Sequence, residues 1–298
     1  MKPFYRSACL LPVILLFFVG GITAQSINLA LKLTNGDKFP YAYVFDMDQQ
    51  LPEGPVKILM TTGLTMSVTG EENGNKVITA AYDRFAMKMD AGQANFDVDT
   101  KNPSPTLEDI AATPTKSMEK IFHALVGQQF TMLISPQGEL VKVGGFNKLI
   151  DNIVDSAAIW FHLPDETKQG MRDGMAKQFN EKSIIEMMRQ SFNILPGKPV
   201  SPGDTWVKNV DVQGETPQKM STVYKLVSVS GNKATIDQQT KVDALSSADI
   251  IMKGTQQGTI VVDTRTGMVI SSTLSQDFTG DRSGAAMTLK SKITVSSK

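Results

Sequence analysis

The sequence predicts an α+β protein, mainly antiparallel β, organised as one large curved sheet or as two related β halves with helices inserted between them. Three observations carry this. Apolar and polar residues alternate with period two through most of the chain after Gln25, glycine and asparagine punctuate those runs, and residues 147–192 switch to a repeat of three and four. A chain with 41% apolar and 20% charged residues is too hydrophobic to stay disordered, and 30 basic against 30 acidic residues exclude a basic nucleic-acid binder at the level of bulk charge.

The opening 24 residues are expected to stand outside the fold. Lys2 and Arg6 precede an apolar run from Leu10 to Val19, and Ile22-Thr23-Ala24 ends in a small residue. This is the pattern of a secretory signal peptide, and it is too short for the roughly 20 residues that span a bilayer. The expected product begins at Gln25, is periplasmic or secreted, and is not an integral membrane protein. A lipoprotein signal is the rival, but Cys9 precedes the apolar run where an acylated cysteine would end it. Cleavage removes two basic residues and the only cysteine, so the mature chain carries a net charge of −2 with neither disulfide nor thiolate chemistry.

Residues 25–146 read as a first β repeat. Val56, Ile58 and Met60 are followed by Leu64, Met66 and Val68 on one face, and Asn73-Gly74 and Gln137-Gly138 supply hairpin turns. A helical insertion falls near 106–126, with Met118, Ile121, Phe122 and Leu125 on one side. Residues 147–194 hold the central helices. Leu149, Ile153, Ala157 and Trp160 recur at helical spacing, Asn147 is the expected N-cap, and Pro164 separates this helix from one starting at Asp165. Leu195-Pro196-Gly197 ends the helical region, and residues 195–298 form a second β repeat with turns at Gly231-Asn232 and Thr266-Gly267. The order of landmarks agrees between halves. Gly36-Asp37-Lys38-Phe39, Gly74-Asn75-Lys76 and the strand from Thr131 match Gly203-Asp204-Thr205-Trp206, Gly231-Asn232-Lys233 and the strand from Thr259.

Enzyme chemistry finds little support. His123 lies off the apolar side of its helix and reads as a solvated surface residue, while His162 has acids at Asp165 and Glu166 but a proline between them. Ser117-x-x-Lys120 lacks the S-D-N and K-T-G partners of a serine–lysine mechanism. Asp46 with Asp48, and Asp97 with Asp99, share strand faces without the spacing of a calcium loop. No catalytic residue, metal ligand or cofactor is therefore expected, and a hydrolase is only a remote alternative.

Methionine is the distinctive residue, with 16 in the chain. Its flexible thioether adapts to irregular apolar surroundings, so walls built from Met60, Met66, Met87, Met89, Met220 and Met287 in strands, or Met171, Met175, Met187 and Met188 in helices, would suit an apolar guest. The residues expected to line such a site are Ile153, Trp160, Met187, Met188 and Phe192.

The opening Gly-Asp-[Lys/Thr]-[Phe/Trp] strands, the segments Ala81 to Met89 and Ile121 to Met132, and Leu195 to Trp206 together resemble a secreted bacterial family, a domain of unknown function with no assigned activity. At fold level the arrangement is also similar to the periplasmic lipoprotein-carrier half-barrels, in which a curved sheet wraps helices around an apolar cavity. A curved sheet with long helices inserted at its midpoint leaves a space to be filled by side chains or by a guest, and with the methionine-rich walls this predicts a non-enzymatic extracytoplasmic protein that binds or carries an apolar small molecule, such as a lipid or lipidated segment. The alternative is a structural or assembly module that docks another protein of the cell envelope.

Overall fold

The structure, a computed structural model, describes residues 26–298 apart from 93, 114–115, 179–180, 182–183, 186–191, 213–217, 248–249 and 283. The signal-peptide assignment, and Met187 and Met188, lie outside the described residues. Long alternating runs form long strands: β1 (Lys38–Leu51), β2 (Gly54–Glu72) and β3 (Asn75–Ala91), followed by the short β4 (Ala94–Asp99). Two helices then intervene, α1 (Leu107–Ala112) and α2 (Lys116–Leu125), before β5 (Gln129–Ile134) and β6 (Leu140–Gly144). In chain order α3 (Phe146–Phe161) and α4 (Asp165–Gln178) come next. Six strands complete the chain: β7 (Thr205–Val212), β8 (Gln218–Ser230), β9 (Lys233–Ser247), β10 (Ile250–Asp263), β11 (Val269–Arg282) and β12 (Ala285–Ser297).

Among the described residues twelve strands form one antiparallel sheet in the order β6-β5-β3-β2-β1-β12-β11-β10-β9-β8-β7, with β4 paired to β3. The first meander runs outward from β1 to the β6 edge, and the second runs inward from the β7 edge to β12. Both meet where β1 pairs with β12 from Tyr41↔Ser297 to Gln50↔Thr288. The hairpin turns form where glycine or asparagine supplies a left-handed backbone, as at Asn73 (φ 51°) and Gly74 (φ 78°).

The start of α3 departs from expectation. The N-cap of α3 is Gly145 in a left-handed conformation (φ 87°), two residues ahead of the expected Asn147. A Cβ there would stand 3.3 Å from the Phe130 backbone, so the close approach of α3 to β5 calls for glycine rather than a side-chain cap. The apolar stripe of α3 is buried at Leu149, Ile150, Ile153, Val154 and Ala157. Its outer side is tied to α4 by Arg172, which donates to Asp151 (2.7 Å) and Asp155 (3.3 Å).

Among the described residues three apolar clusters lie on one face of the sheet. The first joins β1, β2, β3, β5 and β6 through Leu64, Met66, Ile78, Phe130 and Met132. A second joins β7 to β10 through Trp206, Leu226, Ile236 and Ile260, and takes in Leu29. The N-terminal segment straps these two together: Ile27 bridges Val200, Leu31 N–H donates to Pro136 C=O (3.0 Å), and Lys32 N–H donates to Thr266 C=O (3.0 Å). The third cluster, Val210, Met220, Val242, Met252, Phe278 and Met287, lies toward the opposite end of the strands.

The backbone of β11 comes so close to Gly258 in β10 that a Cβ there would lie 2.1 Å from the Thr273 carbonyl oxygen. Gly258→Ala is accordingly expected to lower stability by about 1–3 kcal/mol, the usual cost of overpacking. Gly170 in α4 has open space around it, and Gly170→Ala is expected to raise stability by about 0.5–1 kcal/mol through helix propensity. Thermal or denaturant unfolding of the two variants should show these opposite signs.

Candidate functional site

Directly paired residues of neighbouring strands point to the same side of a sheet, so the register defines continuous rows across the molecule. One row runs Trp206–Tyr224–Gln238–Gly258–Leu274–Ile293 across β7 to β12 and passes through β1 to Phe45, Met60, Met87 and Val98. The next is Lys208–Thr222–Thr240–Gln256–Gln276–Ser291, continuing as Met47–Ile58–Met89–Phe96. A third is Val210–Met220–Val242–Gly254–Phe278–Leu289, continuing as Gln49 and Val56. Across these rows the single charged side chain is Lys208, on the β7 edge.

The two halves of this face differ. On the β1–β4 side Phe45, Met47, Ile58, Met60, Met87, Met89 and Phe96 are all only half-buried, and together they form an apolar wall rich in methionine. On the β8–β12 side the middle row is polar and buried. Thr222 and Thr240 share a hydrogen bond (2.8 Å), and Ser291 Oγ donates to Gln276 Oε1. Burial of Tyr224 and Tyr43 on the same face pushes both phenols up to about 12.

The opposite face is wet. An open groove of about 590 Å³ there is bounded chiefly by Asp46, Asp48, Asp277, Lys290 and Lys292. Asp46 is paired across the sheet with Lys292, and Asp48 with Lys290, which places cations beside both carboxylates. Asp99, the partner of Asp97 in the second acidic pair, accepts from Arg84 Nε (3.0 Å) and Nη2 (2.6 Å). Those bonds hold its carboxyl below the usual range. Lys120 is likewise committed: its Nζ donates to Pro105 C=O (2.7 Å) and stands 4.9 Å from the Trp160 ring centroid, a cation–π contact.

Of the residues expected to line a site, Ile153, Trp160 and Phe192 are described. Ile153 is buried in α3 at 3% exposure, Trp160 packs edge-on to Phe161 under Lys120, and Phe192 packs against the first cluster. Of the methionines, Met66, Met220 and Met287 are core residues, whereas Met60, Met87 and Met89 fall on the half-buried wall. Met47 joins them through register alone.

His123 corrects the expectation of a solvated histidine. Helix α2 docks by stacking Phe122 on Phe85 (4.2 Å between ring centroids) and against Phe96 (5.8 Å). This leaves Met118 46% exposed and buries Nε2 of His123 with no hydrogen-bond partner. Desolvation lowers the imidazole pKa, with Lys120 adding to the effect and Glu119 and Asp99 opposing it.

Residues 73–269 match the profile described as "Family of unknown function (DUF6263)". No curated protein matches the chain. Among solved structures it is similar to one titled "Lipid-protein interactions in lipovitellin", at 7% identity and a TM-score of 0.48, covering 90% of this chain and 25% of that one. The chain thus spans a quarter of that protein's length. It is also similar to the beta domain of the Bordetella autotransporter BrkA, at 7% identity, a TM-score of 0.29, and coverage of 87% and 97%. A third is the Acinetobacter baumannii outer membrane protein Omp33, at 5% identity, a TM-score of 0.18, and coverage of 89% and 100%. Among the described residues no helix is long and apolar enough to cross a membrane.

The buried imidazole makes α2 docking sensitive to acid. Well above pH 6.5 both the folded and unfolded states hold neutral His123. Below it the unfolded chain takes up the proton first, so stability falls until the lowered folded pKa is passed. The melting temperature is expected to drop between about pH 7 and 5, within the span where unperturbed histidine titrates. His123→Gln should flatten that dependence, as read by calorimetry across the range.

Proposed function

The chain belongs to the DUF6263 family of unknown function, and we propose that it is an extracytoplasmic, non-enzymatic protein whose apolar sheet face binds or carries the acyl chain of a lipid. One observation carries the reading. The wall formed by Phe45, Met47, Ile58, Met60, Met87 and Met89 is half-buried where the three neighbouring clusters are closed. Flexible thioethers conform to a chain of variable shape, and a surface of paired strands offers it an extended track. In this reading the two meanders on either side of the β1–β12 pairing are related halves of one curved sheet, with α3 and α4 as the inserted connection. The leading segment ending near Ala24 is removed on export to the periplasm or beyond.

Native mass spectrometry of the protein purified from its own host is expected to show a bound apolar compound that solvent extraction releases. Met60→Lys and Met89→Lys should each weaken binding of a fluorescent acyl probe about tenfold or more, because an ammonium would be brought against the chain without a partner. Lys88→Met, on the wet side of the same strand, should leave binding unchanged. A protein free of ligand that also fails to take up acyl probes would overturn the reading.

A further inference from the structure

We propose, resting on the apolar-ligand reading above, that the face selects acyl compounds with an uncharged carbonyl head, an ester or amide, over the ionised fatty acid. The middle row changes character at one point: Gln276 and Ser291 are followed directly by Met47, Ile58 and Met89. Gln276 is half-buried, and its Oε1 is occupied by the Ser291 hydroxyl. The remaining arm of that amide, Nε2, is a donor. Gln49, also half-buried, stands on the same face one row away, next to Met47 along β1. A ligand lying on the methionine wall therefore meets amide donors at its end, and a carbonyl oxygen is the group they satisfy.

The absence of charge sets the selectivity. Lys208 is four strands from Gln276, about 19 Å at normal strand spacing, which is beyond the reach of its side chain. A carboxylate at Gln276 would be partly desolvated with no cation in its row, whereas an ester carbonyl loses far less on leaving water.

The test titrates the purified protein, loaded with a fluorescent acyl probe, with a monoacylglycerol and with the fatty acid of equal chain length, at a pH where the acid is ionised. The monoacylglycerol should displace the probe at least about tenfold more effectively. Gln276→Met keeps the side-chain volume and removes the donor. It should weaken monoacylglycerol binding about three- to tenfold, leave the fatty acid unchanged, and so narrow the preference. Ser291→Ala, which frees the amide to rotate, should narrow it also, and carries the test if Gln276→Met does not fold. Equal displacement by both ligands, or a preference that survives both variants, overturns this inference while leaving the apolar-ligand reading in place. Failure of the probe itself to bind overturns both.

Discussion

The pairing of β1 with β12 is the contact on which the rest of the molecule depends. It joins the first and last strands of the fold over ten residue pairs and turns two meanders into a single sheet. Without it each meander would carry an unpaired long strand at its inner edge, and such edges attract other chains. With it the free edges among the described residues are β6, β7 and β4, which are all short strands. The pairing is reinforced by the Tyr41 hydroxyl, which donates to the Val269 carbonyl (2.8 Å) at the start of β11 and so reaches past β12. Because the partners are separated by nearly the whole chain, this is the contact whose loop-closure entropy is largest.

From that junction follows the division into a dry and a wet face. Period two puts Phe45, Met47 and Gln49 on one side of β1 and Asp46 and Asp48 on the other, and antiparallel pairing carries the division from strand to strand. Methionine then sorts into two populations. Met66 and Met132 are enclosed by the first cluster, whereas Met47, Met60, Met87 and Met89 stand on the strands that the clusters leave half-covered. The residues are chemically alike, and only the register decides which of them packs and which faces an opening.

This explains what could be read from the chain and what could not. Strands and hairpins were legible because their causes are local: alternation, and glycine or asparagine where the backbone turns left-handed. The helix break at Pro164, between α3 and α4, was legible for the same reason. Sheet order was not, since nothing near Tyr41 in sequence indicates Ser297. The docking side of α2 was misjudged because its apolar residues suggested Met118, whereas aromatic stacking of Phe122 on Phe85 turned the helix and buried the His123 Nε2. Met60, Met87 and Met89 were visible as strand methionines, but their common wall, and Met47 within it, exists only once the register is known. The polar positions had a faint signal, as Ser291 interrupts the apolar series Met287, Leu289, Ile293, Val295, and Gln276 lies between Leu274 and Phe278.

Those interruptions also serve the sheet itself. A register slip of one residue in β12 would bring Lys290 and Lys292 onto the dry face, a large penalty, but a slip of two would keep the alternation intact. The polar row removes that ambiguity. Thr222 bonds Thr240 across β8 and β9, and Ser291 bonds Gln276 across β12 and β11, so a shift of two would set hydroxyls and amides against Val242, Phe278 or Ile293 without partners. An unsatisfied buried polar group costs about 1–3 kcal/mol, more than the same pair contributes when bonded. The row thus fixes the register of the β8–β12 half by what misalignment would leave unpaired. In the other half bulges at Gly63/Leu64 and Val68/Gly70 break the translational equivalence of β2 and β3. The strands between Ser291 and Met89 are then free to present an apolar surface without also having to encode their own alignment, and the open wall lies in that half.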